Sequence, residues 1–257
     1  MSLTSLALRL AAPLPDLEAY RRYLFIGPHP DDIEIGAGAT AAKLAAAGKQ
    51  VAFLICMDGR FGLEHAPIGS TPDTLAALRK AEAIASAAAL GIREVFFLEL
   101  SDGGFYPYEE LVKGMARSIA SFQPDVIFAP DPCVSSECHV DHLQTGKAAM
   151  QLTLFSAYAE IMAQYGAAAA PVEALALYMT AKPNRYVKTS GYLQKQIDAV
   201  FQYHKSQFPD HAPEAKSIAL YLKLRAYDFG LRSLKGQAEG FRVLGRTQMH
   251  CLPEAGK

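Results

Sequence analysis

The stretch Tyr23–Glu34, with the sequence YLFIGPHPDDIE, joins an apolar run to a cluster of ionisable side chains. The run Tyr23–Gly27 has the length and composition of a buried strand. The Ala-rich stretch Gly38–Ala47 that follows is predicted to be a helix ending at Gly48, because glycine adopts the left-handed conformation common at helix C-termini. A strand, a polar loop and a helix in this order predict the first unit of a βαβ fold.

The same alternation continues through the first 160 residues and is typical of a parallel sheet. We predict an α/β fold with a Rossmann-like, mostly parallel sheet flanked by helices, a helical C-terminal portion and one domain over residues 1–257. If the sheet has the common doubly wound arrangement, the strand order is 3-2-1-4-5. The further predicted strands are Val51–Met57, Val95–Leu100, Val126–Ala129 and Ala174–Met179. The further predicted helices are Asp73–Leu90, Tyr108–Phe122, a helical region from Leu143 to Gly166, and two helices in Gly191–Leu234 that Phe208–Pro213 separates. In the first of these helices, Asp73 is predicted as the N-cap, and Gly91 follows the last residue.

Composition excludes several classes of protein. The 257 residues carry 25 Lys+Arg and 26 Asp+Glu, a net charge of −1, with 51% apolar residues, which argues against a disordered chain and against a nucleic-acid binder. Four cysteines give no evident disulfide framework. The first fifteen residues lack a basic start and are interrupted by Arg9, so no signal peptide and a cytoplasmic location are expected. No uncharged apolar run reaches about twenty residues, so no membrane span is expected.

Two loops that follow predicted strands concentrate ionisable side chains. Pro28–Glu34 follows the first strand and contains His29, Asp31 and Asp32, while Pro130–His142 follows the fourth and ends in His-Val-Asp-His. Ligands of open parallel sheets bind at the carboxyl ends of the strands, and strands one and four are neighbours in the predicted order. We therefore expect the two loops to meet.

Imidazole and carboxylate groups together, without a thiolate, favour a catalytic zinc site that keeps one position for water. Adjacent Asp31 and Asp32 cannot easily bind one ion in the same geometry, so one should bind metal while the other faces the water. The same reasoning separates His139 from His142. This donor set suits metal-assisted hydrolysis, in which a carboxylate serves as base and an imidazole assists the oxyanion or the leaving group.

The motifs His29-Pro30-Asp31-Asp32 and His139-Val140-Asp141-His142 resemble those of the zinc-dependent LmbE-like, or PIG-L, N-acetylglucosaminyl deacetylase family. The resemblance spans nearly the whole chain and includes further motifs in family order: Asp58-Gly59, Arg79-Lys80-Ala81-Glu82, Ser101-Asp102-Gly103, His204-Lys205-Ser206-Gln207 and Ala238-Glu239-Gly240-Phe241.

The resemblance implies a zinc-dependent hydrolase that removes an acetyl group from an N-acetylglucosamine-type sugar conjugate, a small molecule. The alternative is a zinc amidase that cleaves a larger sugar-linked amide. Family members are often oligomeric, so the resemblance leaves open whether this chain forms a homo-oligomer. The implied roles are zinc ligation by His29, Asp32 and His142, general-base catalysis by Asp31, oxyanion stabilisation or amine protonation by His139, orientation of an imidazole by Asp141, and substrate binding by Arg79, Asp102 and His204.

The sequence departs from the family pattern in the second loop, where Glu137 and Cys138 stand at positions that often hold Arg or Tyr. This departure bears on the substrate more than on the chemistry. If His139 donates a proton to the departing amine, it must be charged, and a bell-shaped pH profile with a basic limb from His139 is expected.

Two other interpretations remain open at this stage. The segment Gly36–Ala41 (GAGATA) fits a dinucleotide-binding pattern with Asp58 as the acidic partner, although the preceding carboxylates would repel a pyrophosphate. Alternatively, a closed structural zinc site could use two cysteines and two histidines, although ten residues leave little chain to wrap the ion. Its four ligands would be Cys133, Cys138, His139 and His142.

Overall fold

A computed structural model describes residues 11–210 and 212–250 of the chain. Residues 1–10, most of the stretch considered as a leader, and Cys251 lie outside the described residues. None of the helices within these ranges combines the length and the apolar character needed to cross a bilayer.

A seven-stranded sheet forms the centre of the structure. The strands are β1 (Arg22–Gly27), β2 (Gln50–Met57), β3 (Glu94–Leu100), β4 (Val126–Pro130), β5 (Ala174–Tyr178), β6 (Arg185–Lys188) and β7 (Ala238–Gly245). Their order across the sheet is β3-β2-β1-β4-β5-β7-β6. The first five strands are parallel, whereas β7 runs antiparallel to both β5 and β6.

Helices cover both faces of this sheet. The α-helices of the described residues are α1 (Asp32–Ala46), α2 (Pro72–Leu90), α3 (Tyr108–Phe122), α4 (Val140–Phe155), α5 (Ala159–Gln164), α6 (Leu193–Asp198) and α7 (Pro213–Ser233), with a π-helical turn at Ala199–Tyr203. One face of the sheet packs Phe25, Phe53 and Phe128 against α1 and α2, and the other packs Leu24 and Ile127 against α3 and α4.

The predicted order of the first five strands is confirmed, and three details differ. Helix α1 begins at Asp32, directly after the polar loop, rather than at Gly38. Thr71 is the N-cap of α2, in a reciprocal pair with Thr74, and Asp73 lies in the first turn. The C-terminal portion is not wholly helical, because β6 and β7 extend the sheet. Neither strand was predicted, since β6 has four residues and β7 depends on pairing with distant segments.

Helix α1 is interrupted at Ala37, whose φ of −153° and ψ of 16° are not helical. Because the first N–H groups of a helical segment have no carbonyl acceptor within that segment, the second half of α1 needs other partners for its first N–H groups. The buried carboxylate of Glu239, on β7, accepts hydrogen bonds from the backbone N–H groups of Ala39 (3.2 Å) and Thr40 (2.7 Å). The side chain of Glu239 therefore caps this internal helix start.

The packing of Gly36 and Gly38 and the contacts of Glu239 bear on the interpretation of Gly36–Ala41 as a dinucleotide-binding segment. A Cβ on Gly36 would lie 2.2 Å from the ring of Tyr178, and a Cβ on Gly38 would lie 3.1 Å from Gln196. These glycines allow close packing inside the protein. The N–H groups that a pyrophosphate would need are already bound by Glu239. The structure therefore does not support a nucleotide at this segment.

The capping role of Glu239 leads to a stability prediction. Glu239→Ala should lower the free energy of unfolding by about 1–3 kcal/mol, because two buried N–H groups lose their acceptor. Burial raises the pKa of Glu239 from 4.5 to about 7, although the hydrogen bonds from Thr40 and Ala39 oppose this effect. The native state therefore binds more protons than the unfolded chain between these values, and stability falls as pH rises through this window.

Urea unfolding at about pH 5 and about pH 8 measures this dependence. Glu239→Gln should lose the part of the pH dependence that Glu239 causes, whereas Glu160→Gln, on an exposed side chain, should retain it. Equal pH dependence in the wild type and Glu239→Gln would contradict the prediction.

Candidate functional site

The parallel pairing of β1 with β4 brings the two polar loops together. Phe25 on β1 lies opposite Phe128 on β4, so Gly27 and Pro130 end their strands at the same edge of the sheet. The first loop continues into α1 and the second into α4. Six of the predicted site residues therefore gather between two helix starts: His29, Asp31, Asp32, His139, Asp141 and His142.

One carboxylate oxygen lies at the centre of this group. Asp32 Oδ2 is 3.1 Å from His29 Nδ1 and 3.4 Å from His142 Nε2. It also accepts a hydrogen bond from the backbone N–H of His29. The three side chains can each offer one ligand atom, and these atoms lie within 4.8 Å of one another. Two imidazole nitrogens and one carboxylate oxygen at this spacing fit a single divalent cation.

The far nitrogen of each imidazole contacts another carboxylate. His29 Nε2 is 2.9 Å from Asp141 Oδ2, and His142 Nδ1 is 3.2 Å from Glu137 Oε2. Such partners fix the tautomer and ring orientation of a metal-binding histidine. The imidazole that Asp141 orients is therefore mainly that of His29, since Asp141 lies 3.8 Å from His139 Nδ1.

The electrostatics of the site favour a cation. Burial alone would raise the pKa of Asp32, but His142 and His29 outweigh it and hold that pKa well below its ordinary value. Burial likewise disfavours a charged His29, but hydrogen bonds to Asp141 and Asp32 raise the pKa of His29 to about 10. The buried carboxylates thus favour positive charge among them, which a divalent cation would supply.

Asp31 lies beside this group but belongs to neither of the two candidate ligand sets found in the described residues. Its φ of 117° is rare for a residue other than glycine. The buried guanidinium of Arg79 holds it, since Nη2 donates to Asp31 Oδ2 (3.2 Å) and to the carbonyl of Pro30 (2.8 Å). Burial raises the pKa of Asp31 to about 6, and Arg79 opposes this rise.

His139 is placed differently from His142, although the two are three residues apart. Its side chain is 47% exposed, and Nδ1 accepts a hydrogen bond from the backbone N–H of Asp141 at the start of α4. Burial and the neighbouring His29 and His142 lower the pKa of His139. The charged imidazole expected from the sequence is therefore disfavoured, and a neutral ring with its proton on Nε2 fits these contacts.

The three predicted substrate-binding residues, Arg79, Asp102 and His204, are all buried. Arg79 supports Asp31, as described above. Asp102 accepts a hydrogen bond from the backbone N–H of Phe61, in the loop after β2. His204 is fully buried and lies 3.2 Å from Glu34, so it presents no surface to a substrate in this structure. This placement favours a structural role for His204.

Several partners of the site were not predicted. Glu137 was noted only as a departure from the family pattern. Asp141 also accepts hydrogen bonds from the N–H groups of Gly103 and Gly104 and from the hydroxyl of Tyr106. The Ser-Asp-Gly-Gly turn after β3 was a signal for the glycine contacts, whereas nothing in the sequence singles out the Tyr106 hydroxyl.

The structure does not form the alternative cysteine site. The two ligand sets found in the described residues are His29, Asp32 and His142, and His29, His139 and Asp141. Neither includes Cys133 or Cys138, and both cysteines are exposed.

Comparisons with known proteins indicate the family of the chain. The family model described as "PIG-L: GlcNAc-PI de-N-acetylase" matches residues 24–153, just over half of the chain. A diacetylchitobiose deacetylase of Thermococcus kodakarensis is 29% identical over 98% of this chain and 93% of its own length. A 1D-myo-inositol 2-acetamido-2-deoxy-alpha-D-glucopyranoside deacetylase of Thermomonospora curvata is 30% identical over 71% of this chain and 67% of its own length.

A solved structure shows the same relationship in three dimensions. The N,N'-diacetylchitobiose deacetylase from Pyrococcus horikoshii superposes with a TM-score of 0.87 at 29% identity, covering 98% of this chain and 97% of that one. The matched family region contains most of β1, both polar loops and most of α4. The chain therefore belongs to the PIG-L family of de-N-acetylases.

Proposed function

We propose that the protein hydrolyses the acetamide of an N-acetylglucosamine-type sugar conjugate and releases acetate and a free amine. The observation that carries this proposal is the convergence of His29, Asp32 and His142 around one point, with Asp31 beside them and held separately by Arg79. Relatives named as deacetylases of N-acetylated sugars, similar over most of this chain, support the choice of substrate class.

We assign the metal to His29 Nδ1, Asp32 Oδ2 and His142 Nε2, and we propose zinc, which this mixture of nitrogen and oxygen donors suits. When bound, a divalent cation polarises a carbonyl and makes water more acidic. Asp141 and Glu137 would orient the two imidazoles from behind.

The proposed reaction moves one proton from water to nitrogen. The carboxylate of Asp31 accepts a proton as the oxygen of water bonds to the amide carbon. Asp31 then gives this proton to the nitrogen as the carbon–nitrogen bond breaks, so the amine and acetic acid leave and Asp31 is again ionised. The acetic acid loses its remaining proton to the solvent or to the released amine, which gives acetate. Arg79 keeps the Asp31 side chain in one orientation through both steps.

His139 takes the role of a neutral hydrogen-bond donor in this proposal. Because Nδ1 accepts from the N–H of Asp141, the proton on Nε2 is available to the oxyanion that develops on the amide oxygen. The lowered pKa of His139 favours this role over that of a charged proton donor.

The first test of function is hydrolysis of a panel of N-acetylglucosamine conjugates with zinc present, measured as amine release. Wild type should be active, and Asp31→Asn should retain the metal but lose about 10²–10⁴-fold in rate, because an amide cannot accept the proton. A conjugate with a longer acyl chain in the same panel tests the amidase alternative. Near wild-type turnover in Asp31→Asn would place the base elsewhere.

Metal affinity should separate the ligands from the residues that orient them. Asp32→Ala and His142→Ala should lose tightly bound zinc, whereas Asp141→Asn and Glu137→Gln should bind it about 10–100-fold more weakly. Competition with a chromophoric chelator measures both effects without an activity assay. Cys138→Ser, next to Glu137, is the matched control and should bind like wild type. A full equivalent of tight zinc in Asp32→Ala would refute the ligand assignment.

The pH profile tests the roles of Asp31 and His139. Asp31 must be ionised to accept a proton, so turnover should rise with pH through a limb at or below about 6, since burial raises its pKa and a bound cation would lower it. Arg79→Gln removes a neighbouring positive charge that lowers this pKa, so the limb should move to higher pH. His139→Ala should reduce turnover, keep the zinc and leave this limb in place.

Lys80→Gln is the control for the pH profile, because Lys80 is on the same helix as Arg79 but pairs with Glu99 at the surface. Its acidic limb should match that of wild type. Loss of zinc in His139→Ala would mean that His139 and His142 have interchanged roles.

A further inference from the structure

The segment 204–207, with the sequence HKSQ, follows the π-helical turn directly and supplies no group to the proposed reaction. Its first residue is fully buried, and His204 Nε2 lies 3.2 Å from Glu34 Oε1. The hydroxyl of Ser86 donates to the same carboxylate oxygen (2.7 Å). Because Glu34 is on α1 and Ser86 is on α2, His204 anchors this segment, the HKSQ segment, against both helices.

Ser206 and Gln207 bind two different parts of the protein. The backbone N–H and the hydroxyl of the buried Ser206 donate to the two carboxylate oxygens of Glu82, at 2.9 and 2.6 Å. The side-chain amide of Gln207 donates to the carbonyl of Gly62 (2.9 Å), in the loop after β2. The HKSQ segment therefore fixes a side chain of α2 and, separately, the backbone of the loop after β2.

Both of these parts are connected to Arg79, which holds Asp31. Arg79 is on α2, three residues before Glu82, and its Nη1 donates to the carbonyl of Gly59 (3.1 Å). Gly59 and Gly62 belong to the same loop. A Cβ on Gly59 would lie 2.2 Å from Arg79 Nη1, and a Cβ on Gly62 would lie 3.1 Å from the same atom. The backbone of the loop thus packs directly against the guanidinium.

The guanidinium of Arg79 depends on this loop for its orientation. Its Nε is buried and has no hydrogen-bond partner within residues 11–210 and 212–250. Its Nη2 donates to the carbonyl of Pro30 and to the carboxylate of Asp31, while Nη1 donates to Gly59. If the loop moved, Nη1 would lose its acceptor, and the planar group could turn relative to Asp31.

We propose that Ser206 and Gln207 are positioning residues that act on Asp31 through Arg79. Ser206 fixes α2 at Glu82, and Gln207 fixes the loop whose carbonyl binds the guanidinium. Among the described residues, neither has a hydrogen bond to Asp31 or to a proposed metal ligand. Their substitution should therefore impair proton transfer and spare metal binding. This inference rests on the proposed deacetylase function, in which Asp31 is the base.

The experiment is a double-mutant cycle between Gln207 and Arg79, on the N-acetylglucosamine conjugate that wild type hydrolyses fastest. Gln207→Met removes the amide donor and keeps a side chain of similar length. It should lower kcat about 3–30-fold, keep KM within about twofold and leave zinc affinity unchanged. In the Arg79→Gln background the same change should lower kcat by less than about twofold, because the residue through which Gln207 acts is already lost.

Ser206→Ala should give a milder version of the same result, since the backbone N–H of residue 206 still binds Glu82. Lys205→Gln is the matched control, because Lys205 is in the same segment but pairs with Asp210 at the surface. Its kcat, KM and zinc affinity should equal those of wild type. Should Gln207→Met fail to fold, as judged by its melting temperature, Ser206→Ala takes its place in the cycle.

Two kinetic results would overturn the proposal. Equal losses of kcat in the wild-type and Arg79→Gln backgrounds would mean that Gln207 does not act through Arg79. Weaker zinc binding in Gln207→Met would indicate a general disturbance of the site.

A crystal structure of Gln207→Met tests the positioning without an activity assay. Arg79 should lose its contact with the carbonyl of Gly59 and turn relative to Asp31, and an unmoved Arg79 would refute the proposal. If wild type hydrolyses no conjugate, the proposed function fails, and this structure alone then decides whether the HKSQ segment positions Arg79.

Discussion

The parallel pairing of β1 with β4 is the constraint on which the site depends. The two strands are about a hundred residues apart in the chain, yet their carboxyl ends meet at one edge of the sheet. Each strand is followed by a segment rich in carboxylate and imidazole groups, and neither segment alone contains the complete proposed set of metal ligands. His29 and Asp32 follow β1, and His142 follows β4. In another strand order these groups would be separated.

Bringing so many charges together requires that each buried carboxylate has a partner, since an unpaired buried charge is costly. Asp32 contacts two imidazoles, Asp31 contacts Arg79, and Asp141 contacts His29 and two backbone N–H groups. The loops after β2 and β3 are therefore part of the same electrostatic unit as the two loops that carry the ligands, because Arg79 also binds the carbonyl of Gly59.

The last strand connects the C-terminal half of the chain to this unit. Two side chains of β7 contact distant segments. Glu239 accepts a hydrogen bond from the N–H of Thr40 in the interrupted helix α1, and Arg242 pairs with Asp131 in the loop after β4. Helix α7 precedes β7 and lies beside the turn after β5, where Arg225 donates to the carbonyl of Thr180. Helix α1, which begins beside the proposed metal ligands, and the loop after β4 thus each contact a strand that lies more than a hundred residues away in the chain. The C-terminal region packs against the candidate site.

The sequence by itself determined the alternation of strands and helices and the loops that would carry the chemistry. The order of the first five strands was expected only from the common doubly wound arrangement. Apolar periodicity and the placement of polar residues after buried strands are local properties, so they can be read without a structure. Family motifs suggested roles for individual residues, and the structure adds that His204, one of the predicted substrate-binding residues, is fully buried.

Only the tertiary structure decided which groups face one another. The pairing of Asp141 with His29, of Glu137 with His142 and of Glu239 with the interior of α1 depends on side-chain orientations set by packing between distant segments. The antiparallel strands β6 and β7, and the cavity lined by His142 and Tyr221, likewise form only when distant segments of the chain come together. Sequence patterns record which residues are apolar or charged along the chain, whereas long-range pairing, burial and pKa values arise only when separate segments meet in the folded protein.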